Sequence, residues 1–156
     1  MKNLGLFCLL LACIGLESCN KNPKNVDNQA LAEKPTSVQC YKALYEKDTL
    51  DLKINTLATG KITGDMVMKV FNKAKKVGKI AGEFRGDTLF VDYSFISGTD
   101  KAIYKNPMAL LKRGNEFILG NGKIETYLGA SYFAKGQPID FDTVKYKFTT
   151  VDCVDK

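Results

Sequence analysis

Asp140 and Asp142 stand two residues apart, so in an extended stretch their carboxylates share one strand face. Paired carboxylates can pass protons as general acid and base, or hold a calcium ion. The same spacing also fits two solvated aspartates at a strand entrance. The chain contains no His, which excludes Ser-His-Asp and Cys-His catalysis and every His-containing metal centre. It contains no Trp. Gly120-Asn121-Gly122 reads as a turn and not as a phosphate loop. No catalytic residue, metal or cofactor is expected; an enzyme here would have to work with carboxylates, Lys or Tyr.

Other side chains are spaced for contact. Phe90 falls on the polar-facing register of its strand, and Tyr132-Phe133 follow the loop-like Gly129-Ala130-Ser131. These three are candidates for a lipid or glycan ligand at a barrel mouth; the remaining aromatics read as core. Lys69, Lys73, Lys75, Lys76 and Lys79 gather around one hairpin end. That end could rest on an anionic surface, or simply discourage edge-to-edge pairing. The net charge is +6. It is almost all Lys, with Arg85 and Arg113 the only arginines, which makes a nucleic-acid partner unexpected. An anionic envelope component or a protein is the expected partner.

The N-terminus decides the compartment. Met1-Lys2-Asn3 is a basic start, Leu4 to Leu16 is almost wholly apolar, and Asn20 to Asn25 is polar. The apolar stretch suits a signal peptide and is too short to span a bilayer, which takes about 20 residues. Leu16-Glu17-Ser18-Cys19 resembles the lipobox of bacterial lipoproteins, with Glu17 departing from the usual small or apolar residue. Leu10-Leu11-Ala12-Cys13 also fits, but leaves Ile14 and Leu16 outside the signal; Cys19 is preferred. The resemblance implies an acylated Cys19 and a membrane partner through that lipid anchor. With Asn20 next, it further implies an outer-membrane lipoprotein of the bacterial cell envelope, and the lack of an acidic cluster after Cys19 implies that it faces the periplasm. Removal of residues 1–18 takes away Lys2 and Glu17 and leaves the net charge at +6.

Residues 1–18 are thus read as the signal peptide, 19–37 as lipidated Cys and flexible tether, and 38–156 as a single domain. Cys8 and Cys13 leave with the signal and Cys19 carries lipid, so Cys40 and Cys153 remain. An even count in an oxidising compartment reads as a disulfide; a metal or redox pair would lack both His and a Cys-x-x-Cys spacing.

From Val38 onward the hydrophobic period is two, the mark of half-buried strands. Tyr41/Ala43, Leu50/Leu52/Ile54, Ile62/Gly64/Met66, Ile80/Gly82 and Leu89/Val91/Tyr93/Phe95 form the apolar faces. Gly86-Asp87, Gly114-Asn115 and Asn121-Gly122 read as tight turns, the last as the strongest hairpin signal. Gly60-Lys61-Ile62-Thr63-Gly64-Asp65 recurs as Gly78-Lys79-Ile80-Ala81-Gly82-Glu83. Gly64 and Gly82 on inward faces argue for sharp coiling and closure. The expected fold is all-β: a small antiparallel up-and-down meander, closed or nearly closed as a barrel of about eight strands. At most one short helix is expected, at 106–113, where helix and strand are not separable.

Cys40-Tyr41, Gly60 to Gly64, Gly82 to Leu89 and Asp92-Tyr93 resemble the small single-domain β lipoproteins of bacteria, a group without an assigned activity. The resulting expectation is a non-enzymatic, envelope-tethered module that binds a lipid, glycan or envelope protein. The alternatives are an inhibitor or immunity protein against a secreted hydrolase or toxin and, behind it, a carboxylate-based enzyme.

Overall fold

The computed structural model describes residues 33–154. The signal segment, Cys13, Cys19 and most of the tether lie outside the described residues. The alternating runs become long strands: β1 (Ser37–Tyr45), β2 (Asp48–Thr56), β3 (Ile62–Lys69), β4 (Lys76–Arg85), β5 (Thr88–Ser97) and β6 (Tyr104–Arg113). After β7 (Glu116–Leu119) the chain leaves the barrel. It forms β8 (Asn121–Gly122), β9 (Ile124–Tyr127), β10 (Ala130–Phe133) and β11 (Ile139–Asp140). It then returns as β12 (Lys147–Val151). Strands β1 to β7 and β12 close an eight-stranded antiparallel up-and-down barrel, with β12 seated between β7 and β1. β9 pairs with β10, and β11 with β8, as two small separate ribbons.

Alternation sends one face of every long strand inward. Tyr41, Leu50, Leu52, Ile54, Ile62, Met66, Ile80, Leu89, Val91, Tyr93, Phe95, Leu110, Phe117 and Phe148 form one continuous core. Burial of each large apolar side chain stabilises the fold by about 1.5–3 kcal/mol. Outside, Lys42–Asp51, Asp65–Lys79 and Asp92–Lys105 form ion pairs across neighbouring strands. An apolar interior behind a charged wall is the reverse of a barrel that spans a membrane.

The recurring sequence explains the curvature. In the antiparallel register Ile62 faces Gly82 while Gly64 faces Ile80, so the two copies pair with one another. Ile80 Cγ1 lies 3.3 Å from where a Cβ on Gly64 would stand. A Cβ on Gly64 would lie 1.8 Å from the Lys53 carbonyl oxygen, and one on Gly82 would lie 1.9 Å from that of Phe90. No side chain fits there, and the strands can coil tightly enough to close.

Residues 106–113 are strand, and no helix occurs among the described residues. Pro107 is tolerated because β7 pairs only with Leu110 to Arg113, which leaves the outer edge of β6 free at Pro107. Asn121-Gly122 is not a hairpin turn: it is β8, paired with Ile139 and Asp140. Gly122 serves close approach, since a Cβ there would meet Phe133 Cδ1 at 2.8 Å and Ile139 Cγ1 at 3.0 Å.

The expected Cys40–Cys153 disulfide is formed, with Cα atoms 5.2 Å apart and 113 residues between them in sequence. It ties the last described segment to β1. At the opposite end of the barrel, the Tyr146 hydroxyl donates to Asp48 Oδ2 at 2.6 Å, just ahead of β12.

Candidate binding groove

The barrel interior leaves little room for a ligand. Tyr93, Phe148, Met66 and the aliphatic residues fill it. Among the described residues a depression of about 190 Å³ lies at one mouth, between Met68, Tyr93, Phe95, Asn106, Gly122 and Phe133. Binding sites for drug-sized molecules usually hold about 300–1,000 Å³.

Two larger concavities lie on the outer wall. Each has about 650 Å³, so their chemistry distinguishes them. The first runs between the β9–β10 hairpin and the outer faces of β3 to β6. Phe90, Tyr132 and Phe133, the three aromatic candidates from the sequence, all line it. Phe90 and Tyr132 stand on the outer wall and not at the barrel mouth, whereas Phe133 borders both the groove and the depression at the mouth. Strand parity puts Phe90 outward, because its neighbours Leu89 and Val91 point into the core. Phe133 packs edge-on against Phe90 with ring centroids 6.4 Å apart. Tyr132, two-fifths exposed (42%), offers its ring to the groove.

Charged groups border the aromatic floor. The Arg85 guanidinium lies 5.2 Å from the Phe90 ring centroid and 3.4 Å from a Glu83 carboxylate oxygen. Asp92 takes Lys105 at 2.7 Å, and Lys61 lies on the same rim. The groove therefore combines aromatic faces with donors and acceptors along one open channel. The second concavity, near Cys40, is lined by Lys42, Asp51, Asp65, Val67 and Val77, and contains no aromatic ring except Tyr41.

The paired aspartates are already occupied. Asp140 accepts hydrogen bonds from the Thr143 hydroxyl and from the backbone N–H groups of Asp142 and Thr143. The Thr143 hydroxyl first, then those two N–H groups, hold its carboxyl below the usual carboxylate range. It organises the turn leading toward β12. Asp142 turns away to Arg113, 2.9 Å distant. Among the described residues no three of His, Cys, Asp and Glu gather as a metal would require.

The lysine group divides. Lys69, Lys73, Lys75 and Lys76 sit on the β3–β4 connection or at its edges, at one end of the barrel. Lys79 stands farther along the wall, paired with Asp65. Sequence reasoning missed the apex of the β9–β10 hairpin. There Leu128 (φ 49°) and Gly129 (φ 80°) make the turn, and Leu128 is 88% exposed. Asn-Gly is the usual pair for two left-handed turn residues, and Leu-Gly carries no such signal. Comparison of the chain with protein-family models, with curated proteins and with solved structures finds no match in any of the three.

Proposed function

We propose that the protein is a non-enzymatic binding module, tethered to the outer membrane through lipid on Cys19 and facing the periplasm, that takes a glycan chain in the groove of Phe90, Tyr132 and Phe133. The carrying observation is the combination of a filled barrel interior with an open aromatic groove outside. An acyl chain needs an enclosed apolar cavity, which the packed core does not offer. A glycan presents apolar ring faces and hydroxyl groups together, and so suits an aromatic floor with Arg85, Glu83 and Lys61 beside it. The Cys40–Cys153 disulfide accords with an extracytoplasmic location.

Titration calorimetry of the full protein with soluble glycan-chain fragments of the bacterial cell wall tests this reading. Phe90→Ala and Arg85→Ala should each weaken binding about tenfold or more. Val67→Ala, in the other concavity, should leave it unchanged. Undiminished binding by Phe90→Ala, or no heat of binding to the glycan, overturns it.

A second reading, an inhibitor that inserts its hairpin into the cleft of a secreted hydrolase, is favoured by Leu128 alone. A bulky apolar residue held in left-handed backbone at an exposed apex is costly for the monomer, by about 1 kcal/mol or more. Leu128→Asn should stabilise the turn. Under this second reading it should also release a co-purifying hydrolase, whereas under the glycan reading it should leave glycan binding unchanged.

A further inference from the structure

The two ends of the barrel differ in charge. In an antiparallel barrel the β1–β2, β3–β4 and β5–β6 connections share one end. That end carries Lys47, Lys69, Lys73, Lys75, Lys76 and Lys101 against Glu46, Asp48 and Asp100. Among the described residues none of these lysines forms an ion pair. The acids are partly engaged: Asp48 accepts from the Phe71 N–H and the Tyr146 hydroxyl, and Asp100 accepts from the Tyr104 hydroxyl. At the opposite end, Lys61, Arg85, Lys112 and Arg113 are balanced by Glu83, Asp87, Glu116 and Asp152.

The basic end also exposes apolar side chains among its lysines. Phe71, on the β3–β4 loop, is 54% exposed, and Ile103, ahead of β6, is 76% exposed. The connections are braced against each other. The Phe71 N–H donates to Asp48 in the β1–β2 turn, and the Gly98 N–H donates to the Lys75 carbonyl. Lys47 lies over the Phe71 ring at 4.4 Å, and Lys76 over the Phe95 ring at 4.8 Å. Unpaired lysines around protruding apolar groups match the chemistry of a membrane interface: headgroup anions outside, acyl chains just beneath.

We infer that this end of the barrel is a peripheral membrane-contact face for anionic lipid, with Phe71 and Ile103 as insertion points and Lys47, Lys69, Lys73 and Lys75 as headgroup contacts. Charge complementarity and the loop-borne apolar residues select a lipid surface over a soluble polyanion, which would have no use for Phe71 or Ile103.

The geometry adds an orientation. Ser37 begins β1 at the opposite, balanced end, so the tether joins the barrel far from the contact face. β1 has nine residues and spans about 30 Å. The 18 residues of a tether from Cys19 to Thr36 reach about 60 Å when extended, at roughly 3.3 Å each. That reach exceeds the length of β1, so a lipid on Cys19 would leave the basic end free to meet its own leaflet. Only this orientation rests on the anchor proposal; the contact face does not.

The chain has no Trp, so a single one reports its own surroundings. The full protein carrying Phe71→Trp, and separately Asn115→Trp at the balanced end, is mixed with vesicles. One set is neutral phosphatidylcholine; the other contains a third phosphatidylglycerol; both contain brominated acyl chains. Bromine quenching and a blue shift are expected for Phe71→Trp on the anionic vesicles only, with Asn115→Trp unquenched. Lys73→Glu with Lys75→Glu should abolish the quenching and blue shift of Phe71→Trp on the anionic vesicles. Equal quenching at both positions, no quenching at Phe71→Trp, or quenching indifferent to lipid charge overturns the inference. These readings are independent of the groove, whose variants leave this end untouched.

Discussion

The barrel is built from two unequal parts, a continuous wall and a closing seam. In the wall, β4 and β5 pair without interruption from Lys76–Ser97 to Arg85–Thr88, and β2 and β3 from Thr49–Lys69 to Thr56–Ile62. In the seam, β12 pairs with β7 only at Lys147–Ile118 and Phe148–Phe117, and with β1 only from Cys40–Val151 to Ala43–Phe148. The wall is joined by local turns; the seam must bring Phe148 back across the excursion of β8 to β11. What the seam lacks in ladder it recovers through a disulfide, a buried aromatic and the Asp48–Tyr146 clasp. The difference teaches that closure here is a long-range event held by a few side chains.

Loss of the disulfide should separate the two parts most. Cys40→Ala with Cys153→Ala should lower stability by about 4–5 kcal/mol on the chain-entropy account, read from urea unfolding. Amide exchange should then show β12 opening before β4 and β5. Equal loss of protection in both would break the contrast. Phe148→Ala comes next. Its ring is fully buried at the seam, and its removal should cost about 3–4 kcal/mol by the same denaturation measurement. Gly64→Ala tests the wall. The added methyl has the Lys53 carbonyl oxygen in its place, so a loss of about 1–3 kcal/mol is expected. A neutral result would mean that the wall is less tightly coiled than the paired Ile–Gly contacts indicate.

The smallest effect is in pH dependence. The Phe71 N–H and then the Tyr146 hydroxyl hold the Asp48 carboxyl below its ordinary value. Its contribution is present above that ordinary value, near 4, and is lost as pH falls through the lower folded one. Burial first, then the hydrogen bond to Asp48, pushes the Tyr146 phenol up to about 12. Its contribution is complete below about pH 10 and is lost as pH rises toward 12. Tyr146→Phe should flatten both limbs of the melting temperature against pH, with β12 exchange changed more than β4 exchange.

β2, β3 and β5 were legible because they alternate strictly. Leu50/Leu52/Ile54 and Leu89/Val91/Tyr93/Phe95 point inward as their period requires. The Cys40–Cys153 bond was legible from the even count of cysteines left after the expected signal and lipid site. The excursion was not, because its features serve contacts distant in sequence. Gly122 is small for Phe133 and Ile139, not for a turn. Residues 106–113 were ambiguous because Ala109, although outward in register, is fully buried, and Leu110 beside it points into the core. Of the groove, Phe90 was visible as an aromatic out of register. Its contact with Phe133, 43 residues on, depends on how the excursion packs against the barrel.

The central functional claim is that the ligand sits on the outer wall and not inside the barrel. Native mass spectrometry of the full protein, extracted from its own envelope in mild detergent, tests it most directly. Expected are lipid on Cys19, the two hydrogens lost to the Cys40–Cys153 bond, and an additional glycan mass that disappears in Phe90→Ala but persists in Met66→Ala, a core variant. An added mass retained by Phe90→Ala, or a wild-type protein that carries none, would contradict it.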